Sequence, residues 1–511
     1  MIIDEDDLLK SKDPPVATPT LRYPERAAGR RPFSPLPDYE TSQALALTDF
    51  NNNDSLITFH NPPPKRRILD SKFWKAAIVA LVLYIFLTIT IGIPIIVKKT
   101  REAAQQSYPY YSSSYVVPWT DKDPSHYVTD FDNISDLYGL APICNDWTLA
   151  DQLQDAQGSM VGTIQSAVSS NGQFSITSNA SYPSSMNIVQ GDLFVGINPN
   201  SSETDTTISI RMQASSMNLF EQTLVCFVSE INLTTLAIYI PDNLALADQL
   251  LFNITLLYPQ SPIPARVGNF ATFLPFFTQT FGDFGDYVNF KKVSIEGPVS
   301  KIFADSLQAD KMLVETALEP IFGQFYATDS LSVSTIQAPL TANITLFNDP
   351  ESEFPTYLEV STGNSDLIVN VILNSPNPGP PLRPNFIANL RTFSGSATAS
   401  FVHDPLSPPT AIKLRLENDL GPSNLTVDEK YQGVFQVSTK LGSAAVTQGT
   451  AFAPDPWAQS LGRTFILNYH TAVRSYGWIG WGPRPGYYAN EQQGEVVVET
   501  SIANCTLSFD G

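Results

Sequence analysis

Basic residues are scarce in this sequence, histidine is scarcer still, and cysteine is almost absent. The 511 residues include 30 Lys or Arg against 50 Asp or Glu, a net charge of -20. Nucleic-acid binding needs clustered cations to neutralise phosphates, and no basic stripe with interleaved aromatics occurs, so nucleic acid is not an expected partner. The four histidines, His60, His126, His403 and His470, form neither an H-E-x-x-H nor a pair at metal spacing, so no zinc site is expected. A G-x-S-x-G elbow and a Walker loop are both missing, and no cofactor is expected. Pectin-type β-helix enzymes use clustered aspartates with a basic partner. The only Asp-Asp pair here, Asp6-Asp7, lies near the N-terminus, and Asp305 and Asp310 have no adjacent His-Gly or R-x-K. No catalytic residue is assigned, and a polysaccharide-acting enzyme is the least favoured reading.

Charge of either sign is missing from one long run. "AAIVALVLYIFLTITIGIPIIV", Ala76–Val97, is 22 residues without a charged side chain. As a helix it would be ~33 Å long, which matches a hydrocarbon core of ~30 Å and predicts one transmembrane helix with the lipid bilayer as partner. The acidic start "MIIDEDDLLKSKDPP" is unlike a cleaved signal peptide, so the run reads as a signal anchor. Five basic residues lie just before it (Lys65, Arg66, Arg67, Lys72, Lys75) and three just after (Lys98, Lys99, Arg101), which favours a cytosolic N-terminus and a luminal or extracellular C-terminus.

The two flanks differ. Residues 1–75 hold 11 basic and 11 acidic residues, whereas 102–511 hold 16 and 39. The first flank is proline-punctuated and poor in apolar residues, and reads as a disordered cytosolic tail. Residues 98–118 read as a juxtamembrane stalk. All three cysteines (Cys144, Cys226, Cys505) follow the anchor, where disulfides can form; three leave one unpaired or reaching outside the chain, and buried free thiols fit as well. Candidate glycosylation sequons follow it at Asn133, Asn179, Asn200, Asn232, Asn253, Asn343, Asn424 and Asn504, with one before it at Asn53.

Beyond about residue 119 the chain is rich in short alternating runs such as "GDLFVGINP" and "TTISIRMQ", and 119–262 reads as an N-terminal β-rich part. "NDWTLADQLQDAQGSM" is the one amphipathic helix expected after the anchor. From 285 onward a unit of the form L-x-V-x-T recurs. Its corner residue is Thr316, Thr335, Thr362, Thr392, Asn418, Thr439 and Thr500, at steps of 19, 27, 30, 26, 21 and 61. A recurrence every 20–30 residues predicts stacked coils, with Val314, Val333, Val360, Leu416 and Val437 inward in one ladder and Gly395, Gly421 and Gly442 supplying positive-φ turns. An irregular β-sandwich is the alternative.

This repeat resembles the adhesin-like β-solenoid family, whose coils read L-x-V-x-T-x-x-G-x-I-x-G. The chain looks especially like single-pass fungal membrane proteins that carry such coils behind a disordered cytosolic tail. The likeness covers roughly 285–450 and 494–509; Glu319, Ala338 and Ser365 stand where the family has its turn glycine. The resemblance implies no catalytic residues. The expected fold class is an all-β ectodomain, a short-stranded β layer leading into a parallel β-solenoid at 285–511, plus one transmembrane α-helix and a disordered N-terminal tail.

Two further segments stand out. "YHTAVRSYGWIGWGPRPGYY", inside an insert at 450–492, gathers Tyr469, Tyr476, Trp478, Trp481, Tyr487 and Tyr488 with Arg474 and Arg484. Such rings either stack on a glycan or protein partner or cap the open end of a coil stack. In "DEDDLL", Asp4 with Leu8 and Leu9 fits the acidic dileucine pattern read by clathrin adaptors. The sequence thus points to a non-catalytic type II membrane protein with a structural or adhesin-like role. An endosomal or vacuolar trafficking or cargo-binding receptor is the alternative; plasma membrane versus endosome or vacuole stays open.

Overall fold

The computed structural model describes residues 143–147, 153–154, 159–180, 185–230, 233–349, 352, 354–376, 384–449, 461–485 and 494–510. All belong to the unit Gln105–Gly511. The tail at 1–75, the span at 76–97 and the stalk at 98–118 lie outside the described residues.

The protein is all-β with a long parallel-rich sheet. Consecutive strands alternate between two parallel ladders. Ladder A runs through Leu233–Tyr239, Gly172–Ser178, Ala265–Phe273, Val288–Gly297, the C-terminal parts of Ile302–Thr316 and Ile321–Thr335, then Thr356–Thr362, Phe386–Thr392, Ile412–Asn418, Gly494–Thr500 and Gly433–Thr439. Ladder B runs through Leu250–Tyr258, Val189–Ile197, Phe277–Asp283, the N-terminal parts of the same two long strands, then Leu340–Phe347, Leu367–Asn374, Ala397–His403, Ser423–Val427, Cys505–Phe509 and Ala444–Gln448. Alternation dictates the rest: every second side chain points inward, and the inward sets of both ladders form one buried cluster.

The corner chemistry explains the repeat. From each Thr or Asn of the motif to the first residue of the following ladder B strand is always five positions, from Thr316 to Ile321 through Thr500 to Cys505. Every change in step length is absorbed at the opposite corner. At the constant corner the Thr362 hydroxyl donates to the Ser365 carbonyl at 2.8 Å and lies 2.8 Å from that of Thr392; Asn418 Nδ2 donates to the Gly395 carbonyl at 2.8 Å. At Thr362 and Asn418 a buried side chain thus satisfies backbone groups that the bend frees from the ladder, whereas the buried hydroxyls of Thr316 and Thr335 have no hydrogen-bond partner among the described residues.

Three expectations are corrected, and the order of the coils is a further finding. Gly395, Gly421 and Gly442 do not have positive φ, which among described glycines belongs to Gly172, Gly285 and Gly482. They are needed because coils approach closely: a Cβ would lie 1.9 Å from the Ser365 carbonyl oxygen at Gly395, 2.0 Å from that of Gly395 at Gly421, and 2.2 Å from that of Ala503 at Gly442. Parallel stacking does not begin at 285, since Gly172–Ser178 and Val189–Ile197 already pair in parallel with Ala265–Phe273 and Phe277–Asp283. The expected helix at 145–160 contains instead the strand Leu153–Gln154, paired antiparallel with Met160–Val168. The helix that does form, Met217–Gln222, is capped by Ser216, whose hydroxyl accepts from the Leu219 amide at 3.2 Å. Finally, coil order does not follow chain order, because the last coil, Gly494–Thr500 with Cys505–Phe509, inserts between Ile412–Val427 and Gly433–Gln448.

Antiparallel strands cover three of the four ladder ends, while the outer edge of Ala444–Gln448 has no paired strand among the described residues. Ladder A is covered at one end by Leu224–Glu230, which in turn pairs with Ile143–Cys144, and at the other by Arg474–Trp481 and Arg463–His470. Ladder B is covered by Thr206–Ala214 and then Met160–Val168. Cys144 and Cys226, Cα partners in the outermost pair, form a disulfide, and Cys505 is a free thiol buried in the inserted coil.

Candidate functional site

The same coils present two chemically different outer faces. The ladder B strands Leu340–Phe347, Leu367–Asn374, Ala397–His403, Ser423–Val427, Ala444–Gln448 and Cys505–Phe509 contain no Asp, Glu, Lys or Arg. Their outward positions are Thr, Asn and Ser together with Phe347, Ala445 and the exposed Ile368, Ile372 and Val402. The matching ladder A strands carry Glu359, Arg391, Lys413, Arg415, Glu417, Glu495 and Glu499. Arg415 pairs with both Glu417 and Glu499, the latter at 2.9 Å, and Lys413 lies 4.0 Å from Glu495.

The sequons divide in an informative way. Asn253, Asn343 and Asn424 lie within ladder B strands, exposed, and Asn200 and Asn504 lie exposed in loops. Asn343 accepts from Asn370 at 3.0 Å through Oδ1, as Asn424 does from Thr506 at 2.6 Å, so neither amide nitrogen is consumed by these bonds. Asn179 is also exposed, yet its amide brackets Ile240, donating to its carbonyl at 3.1 Å and accepting from its N–H at 2.7 Å. Asn133 and Asn232 lie outside the described residues.

The aromatic insert is a hairpin. Arg474–Trp481 pairs antiparallel with Gly433–Thr439, the last strand of ladder A, and Arg463–His470 pairs outside it. Trp478 is fully buried; Trp481 is 5% exposed, with the Arg463 guanidinium 4.8 Å above its ring. Tyr476 is half-buried and Tyr469 is exposed. The two arginines are engaged inside the hairpin region: Arg474 donates to Gln436 at 3.0 Å, and Arg484 donates to Asn468 at 2.7 Å and to the Tyr476 hydroxyl at 3.4 Å. Tyr487 and Tyr488 lie outside the described residues, as do Asp4, Leu8 and Leu9.

One constellation escaped the sequence reading. The His403 ring is buried between Asp428, 2.8 Å from Nδ1, and the Thr410 hydroxyl, 3.0 Å from Nε2. The Thr410 amide also donates to Nε2 at 3.3 Å, which places the ring hydrogen on Nδ1, facing the carboxylate. The order carboxylate–imidazole–hydroxyl is that of a hydrolytic triad. Here the hydroxyl residue is only 6% exposed and the imidazole residue 2%. The geometry pins a variable corner, 404–411, to the next coil; Lys430 assists by donating to the carbonyls of Asp404, Pro405 and Ser407 at 2.8–3.0 Å. Aligning the second runs of neighbouring coils, "SATASFVH" and "SNLTVD", would have set His403 and Asp428 in adjacent places. Among the described residues no group of three His, Cys, Asp or Glu could hold a metal ion, and no helix is long and apolar enough to cross a membrane. Ala76–Val97 is outside that set.

No family model and no curated protein matches this chain. Among solved structures, a putative cell adhesion protein from Clostridium sporogenes ATCC 15579 is 11% identical over 68% of this chain and 98% of that one, with a TM-score of 0.14. A putative lipid binding protein from Parabacteroides distasonis ATCC 8503 is 12% identical over 52% of this chain and 89% of that one, with a TM-score of 0.26. Likenesses at these scores carry no functional argument.

Proposed function

We propose that this chain is a non-catalytic, single-pass type II membrane protein whose acidic β-solenoid ectodomain makes structural or adhesive contacts at a membrane surface. The carrying observation is the contrast between the faces: ladder B is uncharged over six strands and holds the sequon asparagines Asn253, Asn343 and Asn424 within its strands, while ladder A is charged and holds no sequon asparagine within its described strands. A glycan-clad face and a bare, charged face on one rigid stack suit an exposed contact module. The uncharged run Ala76–Val97 and the basic residues before it support the anchor and its orientation.

Glycosidase treatment of the expressed protein is expected to increase gel mobility. Asn343→Gln and Asn424→Gln should each remove part of the shift, while Asn179→Gln should remove none, since its amide is committed to Ile240. Glycosylation confined to Asn53 would reverse the topology. The second reading, an endosomal or vacuolar cargo receptor, rests on Asp4, Leu8 and Leu9 and a clathrin adaptor as partner. Under it, a tagged copy moves to the cell surface when Leu8 and Leu9 become Ala; under the adhesive reading its location is unchanged.

A further inference from the structure

Ladder A contains a notch whose origin is readable in its register. Arg266 is the Cα partner of Asn289, and Val267 that of Phe290, so Gly268 falls opposite Lys291. On the other side, Phe290 pairs with Ala309 and Lys292 with Lys311, which sets Asp310 opposite Lys291. One outward row therefore reads Arg266, Asn289, Gln308, and the next reads Gly268, Lys291, Asp310, Thr328. Gly268 contributes no side chain to its row. The gap opens a cleft of about 460 Å³ lined by these residues.

Its electrostatics run against the chain. In a protein of net charge -20, Arg266 and Lys291 project from an exposed strand surface with no ion pair to either among the described residues. Lys291 faces Asp310 without pairing to it; the Asp310 carboxylate instead accepts from the Thr328 hydroxyl at 2.9 Å. Arg266 and Lys291 against the single carboxylate of Asp310 leave the lining with one positive charge in excess. Phe290 borders the cleft, but its ring packs in the core against Tyr258, Phe270 and Phe284 and the residue is only 4% exposed, so the cleft has no aromatic platform for a neutral sugar.

We propose that this cleft binds a carboxylate-bearing saccharide, such as a uronate unit of an acidic polysaccharide. The Arg266 fork and the Lys291 ammonium take the carboxylate. The amides of Asn289 and Gln308 and the Asp310–Thr328 pair supply donors and acceptors for ring hydroxyls. The sequons within strands, at Asn253, Asn343 and Asn424, lie on ladder B, so glycans there leave this face open. The inference rests on the adhesive reading and names the ligand of its bare face. It does not depend on orientation, which the glycosidase experiment addresses separately.

The test is calorimetric titration of the purified full-length chain with oligogalacturonate, with a neutral galactose oligomer of equal length, and with a sulfated oligosaccharide. Binding of oligogalacturonate alone is expected, weakening as salt is raised. The double change Arg266→Ala and Lys291→Ala should weaken it by roughly tenfold or more. Gly268→Leu should do the same by filling the notch. A Cβ at 268 meets only the Gly172 carbonyl, at 3.5 Å, so the fold should tolerate the change; an unaltered melting curve checks this. Equal affinity of the double variant and wild type, tight binding of the neutral oligomer, or no binding of oligogalacturonate would each overturn the site. Stronger binding of the sulfated oligomer, lost in both variants, would overturn the assignment to a uronate.

Discussion

Val498 stands in register against Leu416, 82 residues earlier in the chain, and both side chains are fully buried. On its other side Val498 pairs with Val437, so one inward column runs Val314, Val333, Val360, Leu390, Leu416, Val498, Val437. The C-terminal coil is therefore interior. A chain that stacked its coils in order would tolerate a polar residue near its end better than in its middle. Here Val498→Asp should be as damaging as Val360→Asp, since each buries an unpaired charge at a cost of several kcal/mol. Thermal melts of both should show collapse or failure to express; a near-wild-type melt for Val498→Asp would contradict the inserted coil.

Gly395 gives a sharper test of the constant corner. A methyl group there would meet the Ser365 carbonyl oxygen at 1.9 Å and its carbon at 2.1 Å, and backbone cannot move aside without disturbing the ladder. Gly395→Ala should cost roughly 1–3 kcal/mol or more, as overpacking does. Gly462→Ala, with nothing within 4 Å, should stay within about 0.5 kcal/mol. Denaturant melts of the pair test close approach as the reason for these glycines; a Gly395→Ala protein as stable as Gly462→Ala would contradict it.

The column Val314, Val333, Val360, Leu416, Val437 was legible because period-2 alternation and a recurring corner residue fix which face is buried. Val498 could be assigned to the column but not placed within it. Sequence position carries no information on which neighbour a coil chooses when every coil offers the same register. The earlier coils at 172–197 were hidden for a related reason: their strands "GQFSITS" and "GDLFVGINP" lack the L-x-V-x-T corner and read as ordinary alternating strands. The cleft at Arg266 and Lys291 was invisible because it arises between strands, from a glycine's missing side chain one coil away.

Asp366 ties one coil to the next: its Oδ1 accepts from the Ser396 amide at 2.8 Å and from the Ser396 hydroxyl at 2.7 Å. These bonds, the hydroxyl's first, hold its carboxyl below the usual aspartate range. A carboxyl depressed in the folded state contributes stability that is complete above its unfolded pKa and is lost as pH falls through the folded one. Asp366→Ala should lower the melting temperature at neutral pH and leave a shallower decline between about pH 5 and the acid limit. Parallel melting curves for the two proteins across that window would show that the contact is energetically silent. The group is largely exposed, so the effect should be small and reduced by salt.

The hairpin at the far end of ladder A decides whether its aromatics serve the fold or a ligand. Trp478 lies opposite both Val434 and Ile466 in a three-strand antiparallel layer and has no exposed surface. Trp481 is nearly as buried, beneath Arg463, whose guanidinium also reaches the carbonyls of Glu429 and Tyr431. Truncating either ring should cost roughly 3–5 kcal/mol by large-to-small arithmetic and uncover the edge of Gly433–Thr439. Tyr469, 54% exposed on the outer strand, serves as the contrast. Tyr469→Ala should leave the melt unchanged. If the hairpin is only a closure, Tyr469→Ala should also leave retention on immobilised polysaccharide unchanged. A Trp481→Ala protein that melts like wild type but no longer binds polysaccharide would make the hairpin a glycan platform instead. A large drop in its melting temperature, with retention by the Tyr469 variant intact, leaves closure of the stack as the work these rings do.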